Sequence, residues 1–293
     1  MGETPFRDRV AVITGSSRGI GFAVARSLAD QGATVVVNGR DRDTVESAAS
    51  AIRAAGGRAV AVVGSPARPA VAEALVAAAL DRPGRFDILI NCAGAAEPAG
   101  SSILNVTSAQ WHELIDSHLH ATFETCRLAA PLFVAAGGGS IVNTGSHAFL
   151  GVYGGTGYAA GKGAVNSLTA AIAAELREHD VRANVVCPGA TTRLSTGAEY
   201  EAQIAELHRR GLLDDLMLAG SRNPGTPEHV APLYAYLASD LGAHLSGEVF
   251  VAAGGYLGRF PRPADEFLTW RDHTTEPPYT LDEIDRVLGA TSP

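Results

Sequence analysis

The stretch "RVAVITGSSRGIGFAVARSLADQG", residues 9–32, decides the fold. It opens as a short apolar run rich in β-branched residues and closes as a helical pattern that stops at Gly32. Between the two, "TGSSRGIG" (14–21) crowds Gly15, Gly19 and Gly21 into one turn. A strand that passes through a glycine turn into a helix is the opening unit of a parallel α/β sheet.

The alternation continues outward. Strand-like runs lie at 34–38, 58–63, 86–94, 139–146, 181–189 and 247–255, and helical patterns at 43–57, 70–80, 108–136, about 156–179 and 226–240. Strands apolar on both faces and separated by helices need helices on both sides. The expectation is an α/β, Rossmann-like, doubly wound parallel β-sheet of about seven strands. Residues 1–256 read as one catalytic domain. Within it, about 193–225 is long for a connector and carries two helical patterns, so it is expected to act as a substrate lid. Leu194, Leu212, Leu216 and Met217 would form its apolar underside, with Arg209, Arg210 and Arg222 available to a phosphate. Residues 257–293 read as a packing or oligomerisation arm anchored by Phe267, Trp270 and Tyr279, with a short helix in "TLDEIDRVLG".

Composition narrows the function. The 293 residues are 46% hydrophobic, and 23 Lys+Arg against 31 Asp+Glu give a net charge of −8. That balance disfavours a nucleic-acid partner. No uninterrupted apolar run reaches the ~18 residues of a membrane span. Cys92, Cys126 and Cys187 are widely spaced, which argues against a disulfide scaffold or a zinc site and fits a reducing interior. A cytoplasmic protein with no metal is expected.

The glycine turn is a phosphate cradle. Its glycines let backbone approach a pyrophosphate, and the start of the helix offers N–H groups to an anion. Gly15, Ser17, Arg18, Gly19, Ile20 and Gly21 are therefore candidate dinucleotide contacts. The second strand ends in "VVVNGRD", where Asn38 and Arg40 stand in place of a ribose-gripping carboxylate. Arg40 and Arg18 suit a 2′-phosphate, so NADP(H) is expected in preference to NAD(H). Asp41 is expected to cap the next helix.

A second stretch, "GTGYAAGKGAVN" (155–166), puts Tyr158 and Lys162 four apart, on one helix face. Ser146 precedes them at the end of a strand, where doubly wound sheets bind ligands. A free tyrosine titrates near ~10. The Lys162 ammonium is expected to lower that value and to hold the nicotinamide ribose. Tyr158 would then exchange a proton with an alcohol or carbonyl oxygen that Ser146 orients, while the cofactor carries the hydride.

Together "TGSSRGIG" (14–21), "NCAG" (91–94), Ser146, "YAAGK" (158–162) and "PGATT" (188–192) resemble the short-chain dehydrogenase/reductase family over about residues 6–255. The resemblance implies that Asn91, Ala93 and Gly94 support the adenosine side. It also implies that Pro188, Gly189 and Thr192 border the nicotinamide, and that the protein is a homotetramer or homodimer. "IDSHLHATFETCRLAAP", "CPGATTRL" and "PEHVAPLYAYLASD" are similar to the hydroxyacyl-CoA dehydrogenase branch related to peroxisomal multifunctional enzymes, implying a CoA- or carrier-linked 3-hydroxyacyl substrate. Ketoreduction of a polyketide, steroid or cyclic ketone stays open, as do a non-oxidative dehydratase or epimerase and an inactive nucleotide sensor. Three departures stand out. His118 replaces the family's usual asparagine, and is expected to hold a relay water and titrate near neutrality. Ser65 replaces an adenine-contacting aspartate. The Ser-to-Tyr spacing is one residue short, which makes His147, Phe149 and Tyr153, with Leu194, candidates for the substrate pocket.

Overall fold

A computed structural model describes residues 4–81, 85–98, 100–153, 155–192 and 195–289. In the first half, β1 (Val10–Thr14), α1 (Gly19–Asp30), β2 (Thr34–Gly39), α2 (Arg42–Ala54), β3 (Arg58–Val63), α3 (Pro69–Asp81) and β4 (Ile88–Asn91) alternate strictly. Then come α4 (Ser108–Ile115), α5 (Ala121–Ala136), β5 (Gly139–Thr144), α6 (Thr156–Glu175) and β6 (Val181–Gly189). The chain continues through α7 (Ala198–Arg209), α8 (Asp215–Arg222), α9 (Pro227–Ala238), β7 (Val249–Ala253), β8 (Tyr256–Phe260) and α10 (Leu281–Gly289). The sheet order is β3-β2-β1-β4-β5-β6-β7-β8. Every pairing is parallel except β7 with β8. The order reverses between β1 and β4, and a crevice opens where such a reversal falls.

Period-two alternation builds the two faces. Ala11, Ile13, Val35, Val37 and Ile90 pack under α1, α2 and α9, against Leu28, Val45, Tyr234 and Leu237. Val10, Val12, Val36, Leu89 and Ile141 pack under α3, α5 and α6, against Leu75, Phe133 and Ile172. Burying these side chains from both faces is the main stabilising term, at about 1.5–3 kcal/mol for each large one.

Two features differ from the sequence reading. The helix expected over 108–136 is broken by a π-helical turn at Asp116–His120, where the Ala121 N–H reaches back to the Asp116 carbonyl. The extra residue in that turn accompanies an inward-facing His118, which is 1% exposed. The sheet also has an eighth strand. After Gly254, which takes φ +54, the chain folds back and pairs antiparallel with β7. Tyr256 and Leu257 stay exposed on this edge strand, so β8 lacks the all-apolar signature of the strands before it.

The compact body runs to Phe260, and residues 261–293 form a second unit. That unit is organised by Arg271. Its guanidinium donates to Glu283 Oε1 (2.9 Å) and the Pro277 carbonyl (2.9 Å), and lies 3.8 Å from the centroid of the Tyr279 ring. Thr280 and Glu283 exchange side chain and backbone bonds at the start of α10, a capping box. Arg271 and these bonds hold the Glu283 carboxyl down at about 2. Among the described residues, no helix is long and apolar enough to cross a membrane.

A polar knot joins the central strands. Asn91 Oδ1 accepts from Thr14 Oγ1 (3.3 Å) and Thr125 Oγ1 (2.8 Å), while its Nδ2 donates to Asn143 Oδ1 (2.9 Å). Asn91 is 4% exposed and does not line the cavity described below. Asn91 therefore acts on the sheet and makes no direct cofactor contact, because every polar atom of its amide is spent inside the core. Replacing Asn91 by Ala should lower the unfolding free energy by about 2–3 kcal/mol, because buried partners lose their bonds. Urea denaturation would measure it, and a loss under about 0.5 kcal/mol, the size of an ordinary surface change, would contradict the structural role.

Candidate active site

The glycine turn is held from below. Ser16 Oγ donates to the Ile13 carbonyl (2.6 Å) and accepts from the Asn38 N–H (3.0 Å). Asn38 Oδ1 accepts from the Gly15 N–H (3.3 Å), and its Nδ2 donates to the Val62 and Gly64 carbonyls. Asn38 therefore shapes the cradle through its amide. Gly15 has φ +63, and a Cβ there would lie 2.7 Å from Ala93 Cα and N. No side chain fits at Gly15, so the glycine turn packs directly on the loop that follows β4. Arg18 occupies the N-cap of α1 and makes no side-chain cap.

From this cradle a cavity of about 1850 Å³ extends along the C-terminal ends of the strands. Pockets for single small ligands run to about 1,000 Å³, so the volume suits a dinucleotide together with a substrate. Arg18, Arg40 and Ser65 line one end, and Ser146, Tyr158, Lys162 and Thr192 line the middle. Gly19, Ile20, Gly21, Ala93, Gly94, Pro188 and Gly189 supply wall between them, as do Ser17 and His118. The dinucleotide group expected from the sequence thus meets residues that fit it.

Tyr158 and Lys162 converge with Ser146 at the end of β5. Lys162, 5% exposed, donates from Nζ to the Thr144 carbonyl (2.8 Å), and that Nζ lies 5.8 Å from the Tyr158 ring centroid. Burial lowers Lys162 to about 8. Burial also raises Tyr158 above its ordinary value; a hydrogen bond with Ser146 opposes the rise and Cys187 adds to it. The expected lowering of Tyr158 by Lys162 is therefore reversed among the chain's own groups, because desolvation of the phenolate is the largest effect.

His118 also differs from its expectation. Its Nε2 lies 2.9 Å from the Ala95 carbonyl, and since a carbonyl only accepts, Nε2 carries the proton. Nδ1 is buried and has no hydrogen-bond partner among the described residues. Burial, then the Lys162 charge, lower the imidazole to about 3. It is neutral at physiological pH, and its ring meets Tyr158 edge-on at 4.9 Å.

The cavity also has an aromatic wall. His147 and Tyr153 line it, and His147 packs 5.3 Å from Phe260 on β8. Phe149 does not line the cavity. It packs behind Phe260 at 4.9 Å, beside Val249, because in the 3₁₀ turn at His147–Leu150 side chains three apart share a face, which puts His147 and Leu150 on the cavity and Phe149 away from it. Leu194 lies outside the described residues. Helices α7 and α8 bury Ile204, Leu207 and Leu213 against Tyr153, Tyr200 and Met217. Tyr153 Oη meets Ser221 Oγ (3.1 Å), and Tyr200 Oη donates to the Ser221 carbonyl (3.3 Å). Leu216 and Met217 line the cavity, but Leu212, Arg209, Arg210 and Arg222 do not. Arg209 is paired with Glu206 instead. The sequence reading missed Glu97, Tyr200, Ser221, Tyr256 and Phe260. The spacing of Tyr256 and Phe260, on one face of a strand, was the available signal for the last two.

A turn that cradles phosphate, opening onto a buried Ser-Tyr-Lys cluster in a doubly wound sheet, defines a nicotinamide-linked oxidoreductase class. Residues 9–203 match the family model for short chain dehydrogenase. The chain belongs to that family. It is 34% identical over 255 residues to a cyclohexanol dehydrogenase of Acinetobacter sp. (strain SE19), covering 87% of this chain and 97% of that one. It is 36% identical over 265 residues to a hydroxyacyl-CoA dehydrogenase of Mycobacterium tuberculosis, covering 86% and 79%. The crystal structure of a short chain dehydrogenase from Mycobacterium avium superposes with a TM-score of 0.80 at 29% identity, covering 99% of this chain and 97% of that one.

The folded-state value of His118 lies below the unfolded value of about 6.5, so the unfolded chain binds more protons between the two. Its contribution to stability is present above about pH 6.5 and is lost as pH falls toward about 3. Nitrogen NMR should show a neutral ring with the proton on Nε2 from pH 5 to 8, as fixed by the Ala95 bond. A ring titrating near its unperturbed value would contradict the burial.

Proposed function

We propose that the protein is an NADP(H)-dependent carbonyl reductase or alcohol dehydrogenase, acting on a neutral secondary alcohol or ketone. The observation that carries this reading is the convergence of Ser146, Tyr158 and Lys162 on one cavity wall, continuous with the glycine cradle. The bound nicotinamide would supply or accept the hydride. Tyr158 gives its hydroxyl proton to the carbonyl oxygen, and Ser146 hydrogen-bonds the same oxygen and fixes its place. Lys162, held by the Thr144 carbonyl, carries the positive charge that stabilises the phenolate left behind and is the donor for the ribose. Helices α7 and α8 act as the lid.

Preference for NADP(H) rests on the cavity's far end. Arg18 and Arg40 line it, while the Asp41 carboxylate is committed to the Thr44 N–H (3.0 Å) at the start of α2. Asp41 also lines the cavity, but its place as the cap of α2 leaves the end of the second strand to Asn38 and Arg40. Substrate class rests on the near end. Leu150, Tyr153, Tyr200, Ile204, Met217 and Phe260 make it apolar, and the cationic side chains among the described lining residues are Arg18, Arg40 and Lys162. An uncharged ring suits this wall. Likeness to a cyclohexanol dehydrogenase supports that reading, and likeness to a hydroxyacyl-CoA dehydrogenase supports a thioester as the second one.

Replacing Tyr158 by Phe should cut turnover by about 10²–10⁴-fold while NADPH binding, read by fluorescence titration, stays within about twofold. Undiminished turnover would end the reading. Arg40→Ala should weaken NADPH by about tenfold, the worth of a charge-assisted bond, and leave NADH nearly unchanged; equal weakening of both would remove the NADP(H) preference. Because burial keeps the phenol protonated, ketone reduction should hold its rate up to about pH 8, where Lys162 loses its proton, and fall above it. Alcohol oxidation should rise with pH over the same range. A reduction rate that climbs above pH 8 would contradict this assignment.

A further inference from the structure

We propose that Glu97 is a positioning residue for Tyr158, and that the loop leaving β4 clamps this tyrosine at both its backbone and its ring. The inference rests on the reading of Tyr158 as the acid/base group. Helix α6 begins with Gly155 at its N-cap, and glycine brings no side chain to cap the first N–H groups. A carboxylate from 60 residues upstream takes that place. Glu97 Oε2 accepts from the Tyr158 N–H, and Oε1 accepts from the Gly157 N–H (3.3 Å) and from Ser101 Oγ (2.9 Å). A negative charge at a helix N-terminus is favourable, and here it is held by the backbone of the reacting residue itself.

The fit depends on glycine. A Cβ at Gly155 would lie 2.6 Å from both Cδ and Oε1 of Glu97, so a larger residue there would expel the carboxylate. Two residues before Glu97, the Ala95 carbonyl accepts from His118 Nε2 (2.9 Å), and the His118 ring abuts the Tyr158 ring at 4.9 Å. Gly94 makes room for that ring, since a Cβ there would lie 2.7 Å from His118 Cε1. One short loop therefore holds the tyrosine by its main chain through Glu97 and by its ring through His118. Glu97 lines the cavity, yet three donors already occupy its oxygens. That leaves it to hold α6 in place rather than to grip a substrate.

The charged and titratable groups facing Tyr158 are Lys162 on α6, His118 in the π-helical turn, Cys187 on β6 and Glu97 on the loop after β4. The test compares Glu97→Ala, Glu97→Gln and Gly155→Ala in the full chain, with NADPH and a cyclic ketone turned over by the unmodified protein. Each variant's helix content and Tm are recorded beside kcat, KM and the pH profile. Glu97→Ala and Gly155→Ala should lower kcat by about 10–100-fold, the cost of roughly an ångström of misplacement, with the NADPH dissociation constant unchanged. Glu97→Gln keeps one acceptor oxygen and should recover part of the loss. Removing the negative charge should also move the alkaline rise of alcohol oxidation to lower pH in both Glu97 variants. Unchanged kcat in a folded Glu97→Ala, or an unmoved pH profile, would overturn the proposal. A parallel Tyr158→Phe separates the two ideas: if that variant is inactive while Glu97→Ala is normal, only the role of Glu97 falls.

Discussion

A buried ammonium must find an oxygen, and Lys162 finds the carbonyl of Thr144. That bond ties α6 to the end of β5, and much of the site follows from it. A charge taken out of water is costly unless it is paired or hydrogen-bonded, so α6 cannot shift or rotate without losing it. Tyr158, one turn earlier on the same helix, is thereby brought beside Ser146, two residues past the end of β5. The small residues of α6 make the close approach possible. A Cβ on Gly157 would lie 2.6 Å from Leu114 Cδ1, and one on Gly161 would lie 3.2 Å from His118 Cβ. This is why a stretch so rich in glycine and alanine carries a lone tyrosine and a lone lysine.

Desolvation then sets the protonation states. It lowers Lys162 and His118 and raises Tyr158, each toward its uncharged form. Lys162 remains mostly charged at neutral pH, Tyr158 keeps its proton, and His118 has none to give beyond the one bound to Ala95. On the proposed reading, Tyr158 is the acid that protonates an oxygen and Lys162 is the cation that stabilises the resulting phenolate. His118 contributes shape: a neutral ring wedged between the loop after β4 and the tyrosine, with its Nδ1 lone pair facing inward.

The parts legible in the sequence were those governed by local pattern. Apolar runs, glycine stops and cap residues gave β3 and β6 their observed limits. The four-residue spacing of Tyr158 and Lys162 put both on one helix face. What escaped depends on contacts distant in sequence or on which side of a turn a residue faces. Glu97 meets α6 only after the sheet is assembled. Phe149 sits in a tight turn, where no periodicity tells inside from outside. β8 is an edge strand whose Tyr256 and Leu257 both stay largely exposed, Tyr256 on the cavity side, so burial leaves no mark on its composition. The values of His118 and Tyr158 depend on depth, which residue type alone does not encode.

Chains similar to this one are named for cyclohexanol, hydroxyacyl-CoA and hydroxysteroid substrates. In this chain β8, the turn after Ser146, and α7 with α8 supply cavity wall beside Ser146, Tyr158 and Lys162. The most direct test of the central claim is a crystal structure of the complex with oxidised NADP and an unreactive analogue of a cyclic ketone. The Tyr158 hydroxyl should lie within about 2.6–3.2 Å of the analogue's carbonyl oxygen, with Lys162 still on the Thr144 carbonyl. A carbonyl oxygen bound out of reach of Tyr158, with the hydroxyl turned into the protein, would contradict it.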